Sequence, residues 1–357
     1  MKTLPKIAVL YTSADGLGYP SHVKCLQSVN ERKIKIIGTA QDENAAGFAF
    51  VDMGYVVPPV ANIRFIDIML EICIKEKVQV VIPAAPQDLE IFAEAKDKFE
   101  SNGTKVIISP LESLQIANNK YLLYRYCEGG HIPIPNFVRV KSNSEFKDAV
   151  LDLGYPKKDV CFKPVVSSGS RGFRILVNHK QRLDLLLADQ PDSTLATFDD
   201  ICTLFDEVKE FPELIVMEYL TGDEYSVDIV ADKGKALVVV PRTRDKVMLG
   251  ASFVGKVIEH KKIIEYSEKV TAGLKLHGAV GLQFKLDSDG IPKILEVNAR
   301  PHGALMLSAA AGVNILYLAI KVALGENITK PKIKWGTKML RFYSEVYQDE
   351  KGYFFEI

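Results

Sequence analysis

The 357 residues, 47% hydrophobic and 25% charged, lie in the ordinary globular range and can fill two or three cores. Lysine plus arginine and aspartate plus glutamate both number 45, so no net field recruits nucleic acid or an acidic membrane, and the expected partners are small molecules or other protein surfaces. The five cysteines are scattered without a C-x-x-C pair, which argues against a disulfide framework or a zinc site and for reduced thiols in the cytoplasm.

The N-terminal apolar run is short and lacks a small-residue cleavage site, so no signal peptide is expected. The runs "KIAVLY", "KIKIIGTA", "GYVVPP", "VQVVIPAA" and "TKVIISP" read as strands, with helical patterns at 63–77 and 89–101 between some of them. Strands alternating with helices predict a parallel sheet. After the first strand, "DGLGYPS" approaches a dinucleotide-binding turn, but its third glycine position is Ser21, and a nicotinamide site there is the weakest reading.

The pattern changes near Pro110. "LESLQIANNKYLLYRYCEGG" reads as one helix closed by Gly129 and Gly130, and a further helix is expected at 144–153. "ELIVMEYL", "EYSVDIVAD", "KALVVVPRTR", "GAVGLQFKLDSDG" and "PKILEVNARP" follow as strands, the last four antiparallel, with "ADKG" and "DSDG" as turns. "ALMLSAAAGVNILYLAIKVALG" is long enough to span a bilayer, yet Gly312 and Asn314 interrupt it, so it reads as two buried pieces, the second capped by Asn314 and stopped at Gly325.

Three stretches carry chemistry. In "CFKPVVSSGSRGFRIL", Lys163 ends a strand and Ser167, Ser168, Gly169, Ser170, Arg171 and Gly172 follow, either as a hairpin tip or as hydroxyls and backbone N–H groups folding over polyphosphate. No G-x-x-x-x-G-K-[ST] is present, which excludes a P-loop. In "LQFKLDSDGIPKILEVNARPHG", Gln283, Glu296 and Asn298 share one strand face, either as a solvated edge or as oxygen donors for Mg²⁺, with Arg300 placed to offset phosphoryl charge. In "IVMEYLTGDEYSVDIV", the chain turns between two strands, either as an ordinary turn or as an adenine-reading hinge with Glu224 at the ribose. Arg242 and Arg244 would reach a phosphate or carboxylate, or lie on an exposed strand face.

Taken in order, "NNKYLLYRYCEGGHIPIP", "CFKPVVSSGSRG", "VMEYLTGDEYSVD" and "GLQFKLDSDGIPKILEVNARPHG" resemble the successive ATP-grasp motifs of the branch similar to the large chain of carbamoyl phosphate synthase. The likeness covers roughly Pro110 to Gly325, and the preceding segment, with "TAQDENAAG" and "GYVVPP", resembles that branch's pre-ATP-grasp domain. The resemblance implies an α/β and α+β chain: a parallel-sheet domain over 1–112, an ATP-grasp domain over 113–326 with a small lid at 137–218, and a segment 327–357 packed on the core. It implies that Lys120 and Lys163 hold ATP phosphates beneath the flexible loop 167–172, and that Glu218, Tyr219 and Leu220 form the adenine hinge, with Glu224 at the ribose. Gln283, Glu296 and Asn298 are then the Mg²⁺ ligands, for one or two ions with Mn²⁺ as an alternative, and Arg300 supports the acyl-phosphate step with Lys163. Gln283 stands where many such enzymes have a carboxylate, which leaves the second metal in question.

The activity implied is ATP-dependent joining of a carboxylate to an amine through an acyl phosphate, on an amino acid or small carboxylate. The alternatives are a carboxyphosphate-forming unit acting on bicarbonate and a non-catalytic ATP-binding subunit. With one ATP-grasp unit and no recognisable glutaminase, a complete carbamoyl phosphate synthase is not expected. A homodimer is the commonest prior for the assembly.

Overall fold

The computed structural model describes residues 4–167, 169, 171–178, 194–248 and 250–355. Five parallel strands, β1 (Ile7–Thr12), β2 (Ile34–Ala40), β3 (Met53–Val56), β4 (Val80–Ile82) and β5 (Lys105–Val106), form the first sheet in the order β3-β2-β1-β4-β5. All five expected strands are present, and β1 is buried on both faces, as a central strand covered by helices should be. The helices are less continuous than their periodicity predicts. The pattern at 89–101 divides at Ala95 into Pro86–Glu94 and Lys96–Ser101. The single helix expected after Pro110 is two, Leu111–Asn118 and Lys120–Gly129, because Asn119 adopts an extended backbone and its side chain accepts a hydrogen bond from Leu122 N at 3.0 Å.

A second sheet joins β6 (Phe137–Val140), β7 (Val160–Pro164), β8 (Arg174–Leu176), β9 (Leu195–Ala196) and β10 (Leu214–Glu218) in the order β6-β10-β7-β8-β9. Helices Asn143–Asp152 and Phe198–Asp206 accompany it; both are N-capped, by Ser142 and Thr197. Val140, Phe146, Phe162 and Val216 belong to a core of its own.

The third sheet is antiparallel: β11 (Glu224–Asp232), β12 (Lys235–Thr243), β15 (Gly278–Leu286) and β16 (Pro292–Asn298), in the order β12-β11-β15-β16. Beside it β13 (Lys246–Met248), β14 (Ala251–Lys256) and β17 (Lys338–Leu340) make a three-stranded sheet, and β18 (Tyr347–Gln348) pairs with β19 (Phe354–Phe355). The bilayer-length run near the C-terminus is two helices, Met306–Ala310 and Ile315–Ala323, the latter capped by Asn314 and followed by Gly325 at φ 71°. Among the described residues no helix is long and apolar enough to cross a membrane.

The third sheet positions the candidate chemistry. Tyr225, Val227 and Ile229 face a core shared with Leu10 and Phe92 of the first sheet's layer. On the opposite face, Val230, Val238 and Ala279 pack on Val9, Tyr11 and Leu316, while further along the same strands that face becomes polar at Asp228, Ser226 and Glu224. A strand face that turns from apolar to polar midway ends either in solvent or in a site, and Ser226 and Asp228 are both fully buried.

Candidate active site

Register brings together residues far apart in sequence. Gln283 pairs with Ser226 on one side and Glu296 on the other, while Gly281 pairs with Asp228 and Asn298. An irregularity in the β15–β16 register leaves Leu295 without a partner, and its carbonyl accepts from Tyr124 Oη at 3.1 Å and Lys163 Nζ at 3.4 Å. Lys163 is the penultimate residue of β7, and this contact places its ammonium beside β16. Lys120 arrives from the first residue of the helix capped by Asn119; its N–H donates to Val165 O at 3.0 Å, and its Nζ donates to Ser167 O at 2.7 Å and Oγ at 3.2 Å. A small cleft of about 30 Å³ opens among Lys120, Ser167, Glu296, Asn298, Arg300 and Pro86.

The charge balance at the cleft favours an anion. Burial, with Lys163 beside it, lowers the Lys120 ammonium to about 8 despite Glu296, and burial also depresses Lys163 against the pull of Glu296. Burial raises the Glu296 carboxyl, but Lys163, the Asn298 hydrogen bond and Lys120 outweigh it and hold the group below its ordinary range. Burial depresses Arg300 as well, against the pull of Glu296; its Nη1 donates to Pro301 O at 3.0 Å, and its buried Nε has no hydrogen-bond partner among the described residues. Arg244 pairs with Glu224 at 2.7 Å, so among the described residues Lys120, Lys163, Arg300 and Arg244 face two carboxylates, Glu296 and Glu224.

A hydrogen-bond chain sets the orientation of the metal-ligand candidates. Asn298 Nδ2 donates to Glu296 Oε1 at 2.8 Å and lies 3.3 Å from His302 Nε2; His302 Nδ1 lies 3.2 Å from Asp228 Oδ1. Burial lowers the His302 pKa despite Asp228, so the ring is neutral, donates from Nδ1 and accepts at Nε2. That assignment leaves Asn298 Oδ1 available to a cation. His302 lies against Gly281, where a Cβ would come within 2.3 Å of the ring, so only glycine admits the histidine. One carboxylate and two amides suit Mg²⁺, which takes a few hard oxygens and completes its shell with water and substrate phosphates. Among the described residues no three His, Cys, Asp or Glu side chains cluster as a metal cage, and the single carboxylate agrees with that mode.

The other expected residues fall into place unevenly. Ser168 and Ser170 lie outside the described residues. Gly169 and Gly172 have φ of 62° and 75°, and a Cβ at Gly172 would meet Pro164 Cδ at 2.6 Å, so the turn requires glycine there; Arg171 is exposed. Glu218 directs its side chain to Asn136 N at 2.8 Å and Lys293 at 2.7 Å. Lys285 covers the Tyr219 ring at 4.5 Å, and Leu220 is buried. Arg242 is neither on an exposed face nor open to a ligand. It is fully buried and bound to Asp228 at 3.0 and 3.4 Å, because a guanidinium beneath a sheet needs a carboxylate partner. Asp228, His302 and Tyr124 went unrecognised in the sequence, although Asp228 is the lone charge in the apolar run "VDIV".

Comparison with known proteins bears on the family and the fold. Residues 210–342 match the family described as ATP-grasp in the biosynthetic pathway with Ter operon, and residues 17–107 match the PylC-like N-terminal domain. The chain therefore carries an ATP-grasp domain behind a PylC-like N-terminal domain. It is 25% identical over 303 residues to the carbamoyl phosphate synthase large chain of Clostridium acetobutylicum, covering 80% of this chain and 26% of that protein, so it spans about a quarter of that relative. Among solved structures, the fold is similar to the biotin carboxylase domain dimer of Hydrogenobacter thermophilus 2-oxoglutarate carboxylase, in complex with MgADP, ADP and bicarbonate, with a TM-score of 0.66, 15% identity and coverage of 93% and 73% of the two chains. It is similar too to L-amino acid ligase from Bacillus licheniformis, with a TM-score of 0.60, 14% identity and coverage of 93% and 76%.

Proposed function

We propose that this protein is an ATP-dependent carboxylate–amine ligase acting on an amino acid or another small carboxylate. The observation that carries the proposal is the excess of cations among the described residues at one cleft, where Lys120 and Arg300 line the walls, Lys163 lies behind them, and all three face the carboxylate of Glu296. Partly dehydrated cations without matching anions are costly, and a polyphosphate offsets that cost.

In this reading Lys120 and Lys163 hold the β- and γ-phosphates of ATP and loop 167–172 covers them. The backbone of Glu218, Tyr219 and Leu220 contacts adenine, and Glu224 takes the ribose. Glu296, Asn298 and Gln283 hold one or two Mg²⁺ ions, or Mn²⁺. Bound Mg²⁺ would offset phosphate charge and orient the γ-phosphoryl group. A carboxylate oxygen of the acid attacks the γ-phosphorus, and the bond to the bridging oxygen of ADP breaks. Lys163 and Arg300 stabilise the charge on the transferring group. The amine nitrogen then attacks the acyl carbon, inorganic phosphate leaves, and the amine gives up a proton to the solvent.

The proposal includes the chain divisions 1–112, 113–326 with a lid at 137–218, and 327–357, and a cytoplasmic homodimer. Five buried, unpaired cysteines support a reducing compartment, and the Hydrogenobacter domain is described as a dimer.

A second reading, carboxyphosphate formation from bicarbonate, draws support from the Clostridium relative and from the bicarbonate in the Hydrogenobacter complex. Screening carboxylates with amines by ADP release, with hydroxylamine as a trap, separates the readings. A hydroxamate of one acid supports the ligase. ADP release that needs bicarbonate alone supports the second reading, and formation of AMP and pyrophosphate, or no turnover with any acid, overturns both.

A further inference from the structure

A second cavity, about 370 Å³, lies at the seam between the first sheet's layer and the third sheet, lined by Lys96, Lys233, Lys275 and His277 over an apolar wall that includes Ile108 and Leu111. The four basic residues come from three places: the start of helix Lys96–Ser101, the β11–β12 turn, and the link from helix Lys261–Gly273 into β15. Ser109 closes the seam, donating to His277 O at 3.3 Å and accepting from His277 N at 3.0 Å. His277 lies six residues before Gln283 along β15, roughly 20 Å by strand rise, so the cavity shares no residue with the nucleotide cleft.

None of the three lysines forms an ion pair among the described residues. The carboxylates nearby are engaged or turned to solvent: Glu100 pairs with Lys105 at 3.5 Å, and Asp232, half exposed, lies 3.5 Å from His277 Nδ1. That nitrogen also accepts from Lys233 N at 3.3 Å, which leaves Nε2 as the proton-bearing atom of a neutral ring. Burial, with Lys96 and Lys233 close by, lowers the His277 pKa against Asp232, in keeping with that tautomer.

We propose that this cavity is a binding site for a small organic anion, a phosphate or carboxylate carried on an apolar body, separate from the nucleotide cleft and independent of the ligase reading. Three ammonium groups and a ring N–H supply the donors an anion requires, and the wall around Ile108 and Leu111 receives the apolar part; the volume falls within the range of small-molecule sites. Because its walls come from both sides of the seam, an occupant ties the N-terminal layer to the ATP-grasp sheet and stabilises the folded chain.

The test is calorimetry on the full chain, with the nucleotide cleft filled by Mg²⁺ and a non-hydrolysable ATP analogue. Phenyl phosphate, benzoate and inorganic phosphate are titrated separately. Saturable binding of phenyl phosphate or benzoate, tighter than inorganic phosphate, is expected, and which of the two binds tighter identifies the head group. The double variant Lys233→Glu with Lys275→Glu, at two exposed positions, should weaken that binding by at least about tenfold while leaving nucleotide affinity intact. Lys330→Glu, exposed and away from the cavity, should change neither. No saturable binding, equal binding by the double variant, or inorganic phosphate binding as tightly as both organic anions overturns the proposal.

Discussion

Two charge clusters lie on the same face of the third sheet and differ in how far they are satisfied. Around Asp228 every strong group has a partner: Arg242 takes both carboxylate oxygens, Ser308 Oγ donates at 2.7 Å, His302 lies at 3.2 Å, and Arg242 Nη1 reaches Ser252 Oγ at 3.3 Å. Around Glu296, among the described residues, cations outnumber carboxylates and Arg300 Nε has no hydrogen-bond partner. A closed buried network fixes structure, whereas an open one holds free energy that a ligand can release. The lesson is that burial alone does not mark a site; incomplete satisfaction does.

The sharpest way to break this contrast is to alter Glu296. Glu296→Gln should lower turnover at least about a thousandfold, more than about 4 kcal/mol of transition-state stabilisation. A kcat near that of the parent would place the metal elsewhere. The counterpart is Asp228→Asn, which leaves Arg242 buried without its anion and should cost about 3–5 kcal/mol, read by urea denaturation. An unchanged midpoint there would mean that the closed cluster is not structural. Next comes Lys163→Met, expected to weaken MgATP binding by about 1.5–3 kcal/mol in calorimetry, the value of one charge-assisted contact, with the fold kept.

Smaller effects sharpen the comparison further. In the free protein Lys120 loses its proton near about 8, so MgATP affinity should fall as pH rises through that value, because binding then requires proton uptake; below it the affinity should be flat. Lys120→Met should remove this slope, and a slope unchanged in the variant would assign it to another group. Asn119→Ala deletes the cap that starts the Lys120 helix and should cost only about 1 kcal/mol in stability, with a modest loss of nucleotide affinity as Lys120 loosens. Thermal denaturation and calorimetry together would detect both.

Much of the fold was legible because it is written locally. The strands β11 and β12 announce themselves through β-branched runs on either side of the turn "ADKG", β15 and β16 do so around "DSDG", and Asn314 with Gly325 bounds its helix. The strands β13, β14 and β17 carry no such pattern, being short and partly exposed, and their pairing unites segments far apart in the chain. The break at Asn119 was hidden because apolar periodicity runs through it; the extended backbone there is set by the bridge to Val166 across the sequence. In the candidate site, Glu296 and Asn298 are adjacent on one face of β16 as their spacing of two suggested, and Arg300 follows two residues past the strand's end. Arg242 was not, since its partner Asp228 lies fourteen residues away on a neighbouring strand and only register reveals the pair.

The interleaved cores have a consequence for dividing the chain. Leu10, Phe92, Ile229 and Leu282 belong to one buried cluster, and Val9, Val230 and Leu316 to another, so the change of pattern near Pro110 separates topologies without separating interiors. An expression fragment stopping there would present half of two hydrophobic interiors to water and should aggregate or recruit its missing half, as complementing fragments do. The second sheet keeps Phe146 and Phe162 in an interior of its own on one face, but Cys161, Ile215 and Met217 on the other join the large cluster, so excising it would leave a hole in the core it was cut from.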